Sequence, residues 1–471
     1  MTRSVAASNP PFRYFVSYDI SHTKGYHNHQ DILSIRELSE VQDSIEKKKN
    51  LRHIEALVMV KKALGVKSIM KIVFQDPTFS LQLLRVIGET YYKGADIGEC
   101  LSAAYRIKEG DFESWHQEWL MTAERVNKYA DESLAAGHTV SAREAYLRAC
   151  NYYRAAEFLL VNPTDSRIQT TWGKSKECFS KAATLFSPPF EPIEIPFEGS
   201  TTLPGYFYRA GNGNKTNTAR PTLIVHGGFD STLEELYASA AAPALERGYN
   251  CLTFEGPGQG GVIRKQKIPF RYDWEKVVSP VVDYALSRTQ DVDPKHIALM
   301  GISMGGYLAA RAAAFEHRIA VCILYNGVFD GYDALASSLP KSLLTAIENG
   351  NREIVNTVFG ILMDSDTNIQ FNMKHGMWTT GASSPFDLIM NSKNYTIRDT
   401  TQDIKCPTLV LEAEKDDSFP GQPKKVYDVL RCPKKYILFT SEEGAEEHCQ
   451  CGAPALSNQR IFDWLDETFA K

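Results

Sequence analysis

The apolar run Ile297-Ala298-Leu299-Met300 passes directly into Gly301-Ile302-Ser303-Met304-Gly305-Gly306 and then into Tyr307-Leu308-Ala309-Ala310. A strand that reverses this sharply into a helix leaves almost no space for side chains in the turn. Gly301 and Gly305 must therefore be small, and Ser303 is left exposed at the helix N-terminus. Such a turn fits a strand and a helix packed back to back, which commits this region to an α/β layer. The surrounding segments agree. Thr222 to Val225, Asn250 to Phe254, Val321 to Tyr325, Thr408 to Leu411 and Lys435 to Phe439 are further short apolar strands, each but the last followed by a loop and helical pattern. Strands of this kind predict a mostly parallel, doubly wound sheet covered on both faces.

Upstream the pattern differs. From about Asp31 to Phe186 apolar residues recur at helical spacing, and at Ser187-Pro188-Pro189 the chain changes to the alternating segments Ile193 to Phe197 and Leu203 to Arg209. We expect an N-terminal extension over 1–30, a helical domain over 31–190 and an α/β domain over 191–471. Gly211 to Thr218, rich in Gly and Asn, reads as a surface turn. A helical and aromatic stretch at about 339–400, including His375-Gly376-Met377-Trp378, interrupts the alternation and reads as a lid. In the helical domain, Ser141 with Glu144 has the capping-box arrangement of a helix start. Ala142, Ala145, Tyr146, Ala149, Tyr152, Tyr153 and Ala156 follow at helical spacing. An aromatic stripe is ordinarily core, so Tyr152 is only a minor candidate for substrate contact.

A chain of 471 residues with 43% hydrophobic and 23% charged residues has the composition of a folded globular protein, which excludes disordered and collagen-like classes. Its net charge of −5 and the absence of basic runs interleaved with aromatics exclude a nucleic-acid surface. Lys47-Lys48-Lys49 with Arg52 reads as a solvated helix face. No segment reaches the roughly 18 apolar residues of a membrane span, and the N-terminus lacks the apolar core of a signal peptide. Nine scattered cysteines fit a reducing compartment, so a cytoplasmic location is expected. Cys449-Gln450-Cys451 lacks the further ligands a zinc site needs. Neither metal nor cofactor is expected.

A serine hydroxyl is a weak nucleophile and needs a base held by a carboxylate. After the strand at Thr408 the loop Glu412-Ala413-Glu414-Lys415-Asp416-Asp417 offers the acid. Asp416 is chosen because Ala413 stands where such loops commonly carry glycine and the acid follows three residues later; Asp417 is the near alternative. Glu412 and Glu414 read as loop charges, and Asp330 as a less suitable acid. His448 follows the last strand and is the only histidine after His375, which makes it the base. The order Ser, Asp, His is that of a hydrolase triad. Oxyanion donors are expected from the N–H of Met304 and from Gly228 or Phe229 in the loop His226-Gly227-Gly228-Phe229. His226 reads as a structural or pocket-wall residue. Asp230 either caps a helix beginning at Ser231-Thr232, the favoured reading, or binds a substrate hydroxyl or keto group. Glu255-Gly256-Pro257-Gly258-Gln259-Gly260 lacks the context of a nucleotide loop and reads as a pocket-side turn.

Taken together, Gly227-Gly228-Phe229-Asp230-Ser231-Thr232, the Glu255 to Gly260 loop, Gly301 to Gly306 and Gly444-Ala445 before His448 resemble one branch of the α/β-hydrolases. That branch includes the fungal pigment hydrolases named for the yellowish-green conidial mutant and the bacterial dihydroxypseudooxynicotine hydrolase. The segment from Gly94-Ala95-Asp96-Ile97-Gly98 through Leu160 is similar to the same branch, so the resemblance spans roughly residues 50 to 470. It implies an α/β-hydrolase core with a helical domain closing over the serine, and hydrolytic carbon–carbon cleavage in a polyketide-like or aryl ketone. It also implies that Asp230 matches an assisting acidic residue near the oxyanion loop. Esterase, thioesterase, acyltransferase or cyclase chemistry uses the same three residues, and a catalytically silent binding protein is the remaining alternative. The expected partner is a small molecule, a polyketide or polyketide–peptide intermediate, with a homodimer left open.

Overall fold

The computed structural model describes residues 70–211, 219–337 and 339–470. The extension over 1–30, the start of the helical region, the basic cluster at Lys47 and most of the Gly211 to Thr218 turn lie outside the described residues. Eight strands form one sheet: β1 (Glu191–Phe197), β2 (Thr201–Tyr208), β3 (Arg220–His226), β4 (Asn250–Phe254), β5 (Val292–Ile302), β6 (Val321–Tyr325), β7 (Thr408–Ala413) and β8 (Lys434–Phe439). Their order is β1-β2-β4-β3-β5-β6-β7-β8. Only the β1–β2 and β2–β4 pairs are antiparallel; from β4 to β8 every pair is parallel. The expected mostly parallel, doubly wound sheet is present.

Among the described residues five helices precede the sheet: α1 (Pro77–Gly88), α2 (Ile97–Ala104), α3 (Phe112–Ala135), α4 (Thr139–Phe158) and α5 (Ser166–Thr184). The capping-box expectation at Ser141 is corrected here. Helix α4 begins two residues earlier, at Thr139 after His138, with no side-chain cap. Gly137, with a positive φ of 80°, closes the end of α3 and reverses the chain directly into α4. Its stripe from Ala142 to Ala156 is wholly buried, and fully buried Trp115, Trp119, Tyr146 and Tyr152 form the centre of this layer. Each such side chain contributes about 1.5–3 kcal/mol of burial.

Between and after the parallel strands run α6 (Ala242–Glu246), α7 (Glu275–Ser287), α8 (Gly305–Ala313), α9 (Gly331–Ala336), α10 (Lys341–Glu348), α11 (Arg352–Ser365), α12 (Thr367–Thr380), α13 (Pro385–Asn391), α14 (Gln422–Val429) and α15 (Pro454–Phe469). The last strand was expected to lack a following helix; α15 corrects that. Its apolar positions Ile461, Phe462 and Leu465 join the core on one face of the sheet. The period of two along each strand sorts the core. Leu223, Val225 and Met300 face the layer of α6, α15 and the N-terminal helices, while Ile224, Leu299 and Leu324 face α7, α8 and α14. Helices α10 to α13 share a small core of their own around Leu343, Phe359 and Leu388. A buried ion pair, Glu157 on α4 with Arg264 at 2.6 Å, ties the N-terminal helices to the core. Among the described residues no helix is long and apolar enough to cross a membrane.

Candidate active site

Parallel strands place all their carboxyl ends on one edge, which is where loops of different strands can meet. Register brings His226 level with Gly301, Ile302 level with Tyr325 and Ala413 level with Phe439. The loops after β3, β5, β6, β7 and β8 therefore open side by side. Ser303 sits in the β5–α8 turn with φ of 64°, a left-handed conformation unusual for a residue with a side chain. The turn is closed by Ser303 N–H donating to Tyr325 O at 2.8 Å. A Cβ on Gly301 would fall 1.9 Å from Gly305 O, which is why this position tolerates no side chain.

His448 stands between the serine and an acid. Its Nε2 is 2.9 Å from Ser303 Oγ and its Nδ1 is 2.9 Å from Asp416 Oδ1. Asp416 is buried and also accepts from Ser418 N–H at 2.8 Å, Phe419 N–H at 3.3 Å and the Asn326 side-chain amide. Burial opposes its charge, yet His448 and these donors hold the carboxyl below its ordinary 3.8. Burial likewise opposes a charge on His448, but the Asp416 carboxylate and the neighbouring Cys449 sulfur hold its pKa well above 6.5. Such a chain can draw the proton from the hydroxyl and store it as an imidazolium beside a carboxylate. Asp417 instead lines the adjoining cavity. Glu412 receives Tyr436 OH and Glu414 receives Ser441, while Asp330 caps α9 and pairs with Arg398 at 2.8 Å.

The amide side of the site is set by the loop after β3. A Cβ on Gly228 would lie 2.7 Å from Met304 N and 2.6 Å from Ile302 O, so only glycine lets this loop rest on the serine turn. Gly228 N–H leans toward Ser231 Oγ at 3.4 Å, whereas Phe229 borders the cavity together with Met304. From below, Gln259 donates to Gly227 O at 2.7 Å, so the Glu255 to Gly260 segment supports the loop rather than facing the pocket. His226 is likewise absent from the cavity wall; it is fully buried against Phe254 and Trp274, and burial pushes its pKa down to about 4. From above, His375 on α12 places Nε2 3.1 Å from Phe229 O. Burial pushes this imidazole down to about 4 as well, so it is neutral and serves as the donor.

Asp230 caps no helix, because the chain after it makes turns before becoming helical at Leu236. It lines the cavity and pairs with Arg85 of α1 at 3.1 Å, while Arg85 also grips Glu235 at 2.5 Å. Tyr152 lies away from the cavity; its hydroxyl donates to Glu99 at 2.8 Å and receives Asp96 N–H. Sequence reasoning missed Asn326, Gln259, His375 and Arg85. Asn326 left a signal as a polar residue directly after a central apolar strand, and Gln259 and His375 lay in segments already singled out, whereas Arg85 left none.

The site opens into a cavity of about 1030 Å³ bounded by α1, α12, α13 and the strand-end loops. Among the described residues no group of three or more His, Cys, Asp or Glu could hold a metal.

Comparison with known proteins bears on this geometry. Residues 222–435 match the model of the alpha/beta hydrolase family. The chain is 36% identical over 412 residues to the hydrolase LUC6 of a Fusarium species, covering 84% of this chain and 98% of that protein. It is 35% identical over 415 residues to the 20-hydroxy-prefusarin hydrolase FUS2 of Gibberella moniliformis, again covering 84% and 98%. Among solved structures, the 2,6-dihydroxy-pseudo-oxynicotine hydrolase superposes with a TM-score of 0.63 at 25% identity, covering 80% of this chain and 94% of that one.

Proposed function

Because this chain belongs to the alpha/beta hydrolase family and is a hydrolytic enzyme, we propose that Ser303 is its nucleophile, His448 its base and Asp416 the acid that holds the base. The observation that carries this reading is His448 bridging Ser303 and Asp416 at 2.9 Å on each side, at the floor of the large cavity. The substrate is a polyketide-like or aryl ketone, and the reaction is hydrolytic cleavage of a carbon–carbon bond. Similarity to a hydrolase of 20-hydroxy-prefusarin and to a hydrolase of 2,6-dihydroxy-pseudo-oxynicotine supports a small organic substrate.

In the first half-reaction Ser303 Oγ bonds to the substrate carbonyl carbon as its proton passes to His448 Nε2. The oxygen that gains the charge is held by the N–H groups of Met304 and Phe229, the latter preferred to Gly228 because it borders the cavity. Collapse breaks the carbon–carbon bond, and the departing enolate takes the proton back from His448. A second carbonyl β to the first makes that leaving group stable enough. Water, deprotonated by the same imidazole, then attacks the acyl-serine and releases a carboxylic acid. Asp230 is held as an ion pair by Arg85 near the entering carbonyl, which keeps its negative charge from opposing the oxyanion and leaves it able to receive a substrate hydroxyl.

Product mass decides the substrate class. A β-diketone carrying an aryl or polyenyl group should give one carboxylic acid and one methyl ketone, with Ser303→Ala inactive. Cleavage of only a shape-matched ester, with the diketone recovered intact, contradicts the carbon–carbon reading.

A further inference from the structure

Most of the cavity wall is apolar, with Phe229, Phe359, Phe371, Leu388 and Ile389 among its members. Its polar members include Arg85 and Asp230, which pair with each other, but one stretch lacks such pairing. Gln450 and Asn458 also line it, with relative exposures of 1% and 2%, and neither is a core residue by chemistry. Both amide atoms of Gln450 and the Asn458 Nδ2 are shut from solvent without a hydrogen-bond partner. A buried amide left in this condition costs more than the same position filled by an apolar side chain, so its retention needs a cause. Glu89, at the end of α1, also lines the cavity, and its Oε1 is in the same state.

The backbone is bent to produce this arrangement. Cys449 and Gln450 both have positive φ, 51° and 46°, directly after His448. Two consecutive residues with side chains in the left-handed region persist only where their surroundings enforce it. Two residues on, Gly452 lies against Gly88, where an added Cβ would come 3.5 Å from Gly452 N. Gly452, where a Cβ would fall 2.8 Å from Leu84 Cδ1, lets the chain after Gln450 rest on α1, while the turn that starts at Glu89 packs on α15, which carries Asn458. Burial raises the Glu89 carboxyl above its ordinary range, which favours the protonated form that can donate as well as accept.

We propose that Gln450 and Asn458, with Glu89, form a polar subsite of this cavity that binds a substrate group carrying both a hydrogen-bond donor and an acceptor, as a carboxamide or lactam does. Gln450 offers a carbonyl and an NH2 together, Asn458 adds a donor, and the apolar remainder of the wall takes the hydrocarbon part of the same molecule. The subsite rests on the serine-hydrolase reading, because it fixes which end of the substrate lies away from Ser303.

Purified enzyme is assayed on p-nitrophenyl esters of graded acyl length, each ending either in a primary carboxamide or in an isopropyl group of the same shape. At the length that reaches the subsite, the wild type should prefer the carboxamide by about tenfold or more in kcat/KM. In Gln450→Leu and Asn458→Leu that ratio should fall toward one. Turnover of both series with no carboxamide preference at any length overturns the subsite and leaves the hydrolase reading intact, as does a preference that survives both substitutions. Inertness of the wild type toward every ester, together with no labelling by a fluorophosphonate, overturns the hydrolase reading and the subsite with it. Where either variant does not fold, the wild-type ratio and the other variant decide.

Discussion

The floor and the walls of the cavity are built by different physics. On the floor, Ser303, Asn326, Asp416 and His448 all follow the carboxyl ends of adjacent parallel strands, so sheet register fixes their spacing. The walls come from helices far away in the chain: Arg85 reaches Asp230 across 145 residues and His375 reaches Phe229 across 146. The floor can therefore hold a reactive geometry in a rigid frame, while the walls adjust what is admitted to it. Substitutions on the floor should remove chemistry at little cost in stability. Those that separate the helices from the sheet should do the reverse.

The largest effect is expected on the floor. His448→Ala and Asp416→Asn should each lower kcat/KM by about 10⁴-fold while the melting temperature moves little. Equal losses from a wall substitution such as His375→Phe would erase the distinction. The next effect is in stability. Arg264→Met strands the Glu157 carboxylate in a buried site and should cost about 3–5 kcal/mol in urea unfolding, much of it recovered in Glu157→Leu/Arg264→Met. Activity per folded molecule should be retained.

The pH profile sharpens the floor's side of the comparison. His448 must be neutral to accept the serine proton, and its pKa is held above 6.5, so the acid limb of kcat/KM should lie above that value and move down in Asp416→Asn. Stability follows the opposite rule. The charge on His448 stabilises the fold fully below 6.5 and less as pH rises through its raised folded value; the charge on Asp416 does so above 3.8 and is lost as pH falls through its lowered one. The smallest effect belongs to His375→Phe, which removes one hydrogen bond to the oxyanion loop and should lower kcat by a few-fold, about 1 kcal/mol.

The same division explains what the sequence disclosed. Strand-end residues are legible because a short apolar run, a glycine turn and a helix are local signals; β4 and β6 lie where their apolar runs end. Ser303 and the loop at Gly228 are announced by glycines that the backbone requires. Arg85 is an ordinary helical arginine until α1 is laid against the loop after β3, and no spacing rule connects the two. Asp230 was misjudged as a cap for that reason: its partner is tertiary. Helix α15 is hard to read because its apolar residues are spread among Asn458, Asp463 and Asp466, and their spacing makes sense only against the sheet face they cover.

The most direct test of the account is peptide mass spectrometry of enzyme treated with a fluorophosphonate. The account requires one adduct, on Ser303, absent in Ser303→Ala and strongly slowed in His448→Ala. An adduct on another residue, or labelling of Ser303→Ala at the wild-type rate, would contradict it.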